Sequence, residues 1–295
     1  MCATLSDEGK EARMAMASTE WQVREGGEND DGEIQALLER DRVWNSFALA
    51  DLLPPLWQYT RFVTAAHPGE PPSALVMSIQ HPGFSAVSPF GAGAGVAAIL
   101  DRISLPQRTL VQTTAAHRPL LERRYRPAPA WLEMLRMAVT ERTFTPAAVD
   151  ERVTHVAHVA RLGAADGAEV DELYRLFPEG HFRPDLLDEG VFYGLRAGGS
   201  LRAIAGTHVV AEPFGVAVVG NVFTHPDARG NGYAGAVTSA VVANLLARGC
   251  HDVVLNVFVT NTPAIAVYRR LGFQTAHHVW SGQAELRQES QEKTP

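Results

Sequence analysis

The order of strand-like and helix-like segments predicts a mixed α/β protein whose mixed sheet is built from two similar halves in tandem. The stretch Val222 to Phe273 carries the clearest signal, reading as strand, glycine-rich turn, helix, strand and helix. Short β-patterned runs with Pro and Gly punctuation precede it in each half. The same order recurs earlier: Val111-Gln112-Thr113-Thr114 up to Tyr125-Arg126 lies alongside Val257-Phe258-Val259-Thr260 up to Tyr268-Arg269-Arg270.

At 295 residues with 46% hydrophobic content, the chain accommodates two cores of ordinary size. Its apolar runs are broken well short of the roughly 20 residues that a membrane span requires, so no membrane partner is expected. The net charge of -7 argues against a nucleic-acid partner. Cys2 and Cys250 are too few for a disulfide framework and lack metal-ligand spacing, so no metal site is expected and a reducing cytoplasm is the simplest compartment. Residues 1–19 read as a disordered leader, 20–145 as a diverged first domain, 150–287 as the catalytic domain and 288–295 as a disordered tail.

Taken in order, Ile34, Leu37, Leu38 and then Val43, Phe47, Leu49 and Leu52 suggest two short helices, ended by Pro54-Pro55. Arg61 to Ala66, Ala74 to Gln80 and Phe84 to Ser88 suggest strands. Gly91 to Gly95 opens an apolar helix, followed by a strand Thr109 to Thr113 and a helix up to Tyr125. This first glycine cluster lacks the spacing of a phosphate cradle and reads as a loop before a core helix. Trp131 to Val139 fits strand or helix, and Thr143 to Val149 fits a linker. The second half opens with a strand Val153 to Leu162 and a helix Ala165 to Leu176, with Asp166 as its cap. Ala197-Gly198-Gly199-Ser200 closes a hairpin between Val191 to Arg196 and Leu201 to Val210, and Gly215 to Thr224 supplies the next strand.

After His225-Pro226 comes Arg229-Gly230-Asn231-Gly232-Tyr233-Ala234, and from there Val237, Val241, Val242 and Leu245 recur at helical spacing. The first N–H groups of a helix have no intrahelical partner and share the positive end of its dipole, so an anion such as a pyrophosphate fits above this turn. A second motif follows the strand Val253 to Val259: Asn261 through Ala264 and Tyr268 to Gly272-Phe273.

Together the two motifs resemble the acetyl-CoA-binding core of the GNAT N-acetyltransferase superfamily, Arg/Gln-x-x-Gly-x-Gly/Ala followed by Asn-x-x-Ala-x-x-x-Tyr-x-x-x-Gly-Phe. The likeness extends from about Val153 to Ala284. Leu201 to His208 and Gly220 to Pro226 resemble more narrowly the glycine N-acyltransferase-like branch, which also carries a diverged N-terminal half. The resemblance implies that acetyl-CoA is the acyl donor. It implies that backbone groups of Val222, Phe223 and Thr224 pair with the pantetheine arm, that Arg229, Gly230, Asn231, Gly232, Tyr233 and Ala234 cradle the pyrophosphate, and that Asn261 bonds a pantetheine amide. Tyr268 would then protonate the departing thiolate, after a small-molecule amine has attacked the thioester directly.

The strand Val216 to Val222 has no carboxylate where many such enzymes carry one. His208 is the first candidate base and Glu212 the second, with His181, Asp185 and His225 as lesser ones. A non-catalytic acyl-CoA-binding or regulatory module is the alternative reading. Monomer and homodimer are both open.

Overall fold

The computed structural model describes residues 21–26, 31–147, 157–177, 182 and 186–288. The expected leader, most of the expected tail, His181 and Asp185 lie outside them. Two compact units form, and they do not follow contiguous halves. One comprises residues 1–40, 51–132 and 279–295, and the other 41–50 and 133–278. The fold is mixed α/β in both.

In the first unit, β1 (Gln22–Glu25), β2 (Thr60–Ala66), β3 (Ala74–His81) and β4 (Phe84–Gly91) form an antiparallel meander, and β5 (Arg108–Thr113) joins β4 in parallel. The chain also forms α1 (Asp31–Leu38), and in the second unit α2 (Ser46–Ala50). Helix α3 (Gly93–Leu100) connects β4 to β5, and α4 (Arg118–Arg124) leads to the short β6 (Tyr125–Pro127). Val63, Val76, Val87, Val96, Ile99, Val111 and Tyr125 make the core of this unit.

The second unit repeats that order. After β7 (Leu132–Val139), β8 (Ala157–Arg161) and α5 (Gly167–Tyr174), a short α6 (Leu186–Glu189) leads to β9 (Tyr193–Ala197), β10 (Ser200–Ala211) and β11 (Val216–Thr224). Helix α7 (Tyr233–Ala247) connects β11 to the parallel β12 (Asp252–Phe258), and α8 (Thr262–Arg270) precedes β13 (Gln274–Leu286). Gly198 and Gly199, at φ 62° and 83°, make the β9–β10 turn, which only glycine adopts at little cost. Val237, Val241, Val242 and Leu245 of α7 are fully buried, each contributing roughly 1.5–3 kcal/mol relative to exposure.

The discontinuous units arise because each closes its sheet with a strand from a distant part of the chain. Residues of β7 from Met134 to Val139 pair antiparallel with β12, whereas Trp280 to Glu285 of β13 pair with β5. Residues 41–50 join the second unit through Arg136. This guanidinium is fully buried, donates from Nε to Asn256 Oδ1 at 2.9 Å and to the Trp44 carbonyl, and lies over the Trp44 and Phe47 rings at 4.7 and 5.4 Å. Burial lowers its pKa to about 9, so it stays charged at neutral pH. Arg42 adds an ion pair to Asp252 at 2.8 Å. A long-range arginine contact of this kind leaves no local sequence signal.

Asp166 stands at the N-cap position of α5 as expected, but its side chain makes no cap bond there. Its carboxylate accepts from the Gly163 N–H and pairs with Arg196. The end of α8 is specified by the sequence: Phe273 N–H donates to the Tyr268 carbonyl at 3.0 Å while Gly272 takes φ 90°, the left-handed closure that favours glycine. A Cβ at Gly272 would also stand 1.8 Å from the Thr143 carbonyl oxygen. Gly272→Ala is therefore expected to cost at least about 2 kcal/mol of stability, read from urea unfolding.

Candidate active site

The central feature is a parting of two parallel strands. β11 and β12 pair only from Val216↔Asp252 to Val219↔Leu255. Beyond that point Phe223 and Thr224 pair with Ile204 and Ala203 of β10, while Asn256, Val257 and Phe258 pair with β7 on the other side. The facing edges of Gly220–Thr224 and Asn256–Phe258 have no pairing with each other. Such edges present backbone donors and acceptors to whatever enters between them.

A bulge in β11 helps to set this geometry. The β10–β11 register shifts between Ile204↔Phe223 and Gly206↔Gly220, leaving an extra residue in β11. Asn221 has φ 52°, the one positive value among the described non-glycine residues; asparagine tolerates this region better than most side chains. Tyr174 of α5 donates its hydroxyl to the Asn221 carbonyl at 2.6 Å. Nothing local singles out Tyr174 within its helix, whereas Gly220-Asn221 within a strand is an available signal for a bulge.

Above the gap, Gly230 and Gly232 take φ 82° and 77°. A Cβ built at either meets nothing within 4 Å, so torsion rather than packing selects glycine, and the space above the turn is open. Gly232 is the N-cap of α7 without a side-chain cap, leaving the first amides of Tyr233 and Ala234 to an external acceptor. Asn231 Nδ2 donates to the Ala228 carbonyl at 3.1 Å and fixes the turn. Arg229 is exposed, and its Nε donates to the Thr224 carbonyl at 3.4 Å.

Asn261 caps α8, accepting from Ala264 N–H at 3.2 Å through Oδ1. Tyr268 is buried on α8 and packs with Phe273 at 5.8 Å between ring centroids. It belongs to the core cluster that includes Val257, against which Val222 packs. Burial pushes the Tyr268 hydroxyl up to about 12, so it is a proton carrier and donor at neutral pH.

The candidate bases separate. His208 is the extra residue of a second irregularity, between Thr207↔Val219 and Val209↔Val218. Its ring lies directly over Gly220, where an added Cβ would fall 2.0 Å from Nε2. The ring is accessible to solvent by area, yet crowding by protein atoms desolvates it and lowers its pKa from the usual histidine value. The imidazole is neutral at pH 7. Glu212 is not brought to the gap. It lies in the β10–β11 connection, ion-paired with Arg248, and the run of β11 from Val216 to Val222 places it about 20 Å of strand away. His225 caps a turn, its Nδ1 accepting from Asp227 N–H at 3.2 Å. Among the described residues there is no group of three or more metal-ligating side chains, and no helix is long and apolar enough to cross a membrane. A shallow depression of about 540 Å³ lined by Thr143, Arg269 and Gly272 lies at the far end of α8 and contains none of the candidate residues.

The first unit has the same parallel pair, β4 with β5, through Ala86↔Leu110 and Val87↔Val111, but not the same site. α3 starts at Gly93 directly after β4, without an intervening turn. His117 Nε2 is hydrogen-bonded to the Gly91 carbonyl at 2.9 Å.

Residues 162–273 match the family model described as the acetyltransferase (GNAT) family. The matched segment is similar to that family and shares its mixed α/β fold. Curated relatives carry a more particular name: mycothiol acetyltransferase of Saccharopolyspora erythraea is 35% identical over 137 residues, 46% of this chain and 43% of that protein. Mycothiol acetyltransferase of Saccharomonospora viridis is 48% identical over 65 residues, 21% of each. The chain therefore spans less than half the length of these relatives in either alignment, and neither bears a glycine N-acyltransferase name. In fold, it is similar to a tandem GNAT protein from the clavulanic acid biosynthesis pathway, with a TM-score of 0.55 and 14% identity over 92% of this chain and all of that one.

The lowered pKa of His208 predicts a pH dependence. The folded state favours the neutral ring, so its stability contribution is present above the unfolded value near 6.5 and is lost as pH falls through the folded value. Thermal melting is expected to weaken between pH 7 and pH 5, less so in His208→Gln.

Proposed function

We propose that the protein is an acetyl-CoA-dependent N-acyltransferase that transfers the acetyl group to a primary amine of a small molecule within a ternary complex. The observation that carries this reading is the unpaired parting of β11 and β12 below an open, left-handed glycine turn at a helix N-terminus. The pantetheine arm is extended and amide-bearing, so it can pair as an added strand with backbone at Val222, Phe223 and Thr224. The Arg229 to Ala234 turn receives the pyrophosphate through N–H groups. Asn261, whose Oδ1 is engaged in capping, offers Nδ2 to a pantetheine carbonyl.

In the reaction, the amine nitrogen attacks the thioester carbonyl carbon, and the C–S bond breaks as the tetrahedral intermediate collapses. The Val222 N–H stabilises the oxyanion. The proton released by the amine passes to His208, directly or through water, and Tyr268 donates a hydrogen bond and then a proton to the leaving sulfur. A neutral imidazole and a protonated phenol are the forms these duties require, and desolvation by protein atoms favours both. Glu212 has no part in this scheme. A reducing cytoplasm suits a reaction that releases free thiol.

The names of the relatives bring mycothiol-type acceptors into the test panel, and the narrower resemblance to glycine N-acyltransferases adds amino acids. Release of free CoA thiol is to be followed across these and other small amines. Turnover with at least one amine supports the proposal; tight CoA binding without thiol release from any of them favours the non-catalytic reading, for which the missing β11 carboxylate argues. Tyr268→Phe is expected to lower kcat by about 10- to 100-fold while leaving the CoA dissociation constant within about threefold.

A further inference from the structure

Tyr174 lies on a different element from every residue assigned a role above, yet it reaches into the β11 bulge. Its hydroxyl donates to the Asn221 carbonyl at 2.6 Å. That carbonyl belongs to the same peptide group as the Val222 N–H. A trans peptide is planar, with C=O and N–H pointing in opposite directions. Holding the carbonyl therefore fixes the direction of the N–H. A β-strand bonded regularly on both edges would not need such a clamp, but here the β10 register is broken at the bulge and β12 has departed after Leu255.

The ring is itself held firmly. Tyr174 stacks on Phe182 at 4.8 Å with an interplanar angle of 5°, and on Phe223 at 6.0 Å. Phe223 is a near neighbour of the bulge on the same strand, so the hydroxyl and the peptide it grips are registered to one aromatic cluster. A hydrogen bond accepted by the carbonyl also draws electron density from the amide and strengthens its N–H as a donor. Burial raises the pKa of the phenol, keeping the hydroxyl a donor throughout the working pH range.

We propose that Tyr174 is a positioning residue that orients and strengthens the Val222 N–H as the donor to the thioester carbonyl, acting through the Asn221–Val222 peptide. This rests on the acyltransferase reading. Its consequence is that the donor's direction is set from α5, the helix packed beside the bulge, rather than by the sheet ladder.

The test uses the whole chain and acetyl-CoA carrying a 13C-labelled thioester carbonyl. Infrared difference spectra are expected to show the bound carbonyl moved to lower frequency in the wild type. Tyr174→Phe, which keeps the ring stack, is expected to lose most of that displacement and to lower kcat roughly tenfold, with acetyl-CoA affinity unchanged. Asn221→Gly, which keeps the positive φ while letting the peptide turn, is expected to weaken the displacement in the same direction. A full displacement in both variants overturns the proposal. So does a Tyr174→Phe protein that loses activity only in proportion to its folded fraction, because that marks a purely structural role. A wild-type chain that binds no acetyl-CoA removes the acyltransferase reading and this inference with it, an outcome distinct from binding with the displacement preserved in the variants.

Discussion

The second unit depends on the separation of two strands that begin as a parallel pair. β11 stays with β10 on one side and β12 with β7 on the other, and past Val219↔Leu255 the two no longer pair with each other. Hydrogen bonding that a closed sheet would consume remains at the facing edges. Unpaired backbone of this kind is unfavourable when buried and favourable when an extended ligand completes it. The turn and the two helices serve that geometry: α7 begins where β11 ends, and α8 is capped where β12 ends.

The chemistry proposed for the gap uses groups that burial keeps uncharged. Desolvation moves His208 and Tyr268 in the directions that disfavour their ionised forms. A carboxylate on β11 would face the same penalty and would need a partner to remain ionised. The strand has Gly220 instead, whose missing side chain is the space occupied by the His208 ring. Glycine on one strand and histidine on the next thus pack as a unit, and a side chain at Gly220 would displace the ring.

The first unit shows what happens to the same order of elements when the local devices are absent. It keeps the meander, the parallel pair and the connecting helix, and its core is well filled by Val96, Ile99 and Val111. Gly91 there has φ 80° for a packing reason, since a Cβ would stand 2.1 Å from the Ser73 carbonyl oxygen. Hydrophobic patterning is sufficient to maintain such a fold, whereas amides left open at a helix start demand the particular torsions of Gly230 and Gly232.

The sequence by itself determined the elements and the motif geometry that short-range physics controls. Gly230 and Gly232 adopt left-handed torsions, Asn261 caps its helix, and Gly272 closes that helix against Phe273, because each depends on residues within a few positions. It also contained the repeat, through the matching order of elements. Tertiary structure decided the rest. The swapped strands and the recruitment of residues 41–50 by Arg136 depend on pairings more than 90 residues apart, which no local pattern encodes. The sequence ranks His208 ahead of Glu212 as a base, and register then places the first over Gly220 and the second beside Arg248. Only the fold brought the Tyr174 hydroxyl to the Asn221 carbonyl, because a side chain's burial follows from its helix pattern whereas its hydrogen-bond partner follows from where the helix packs.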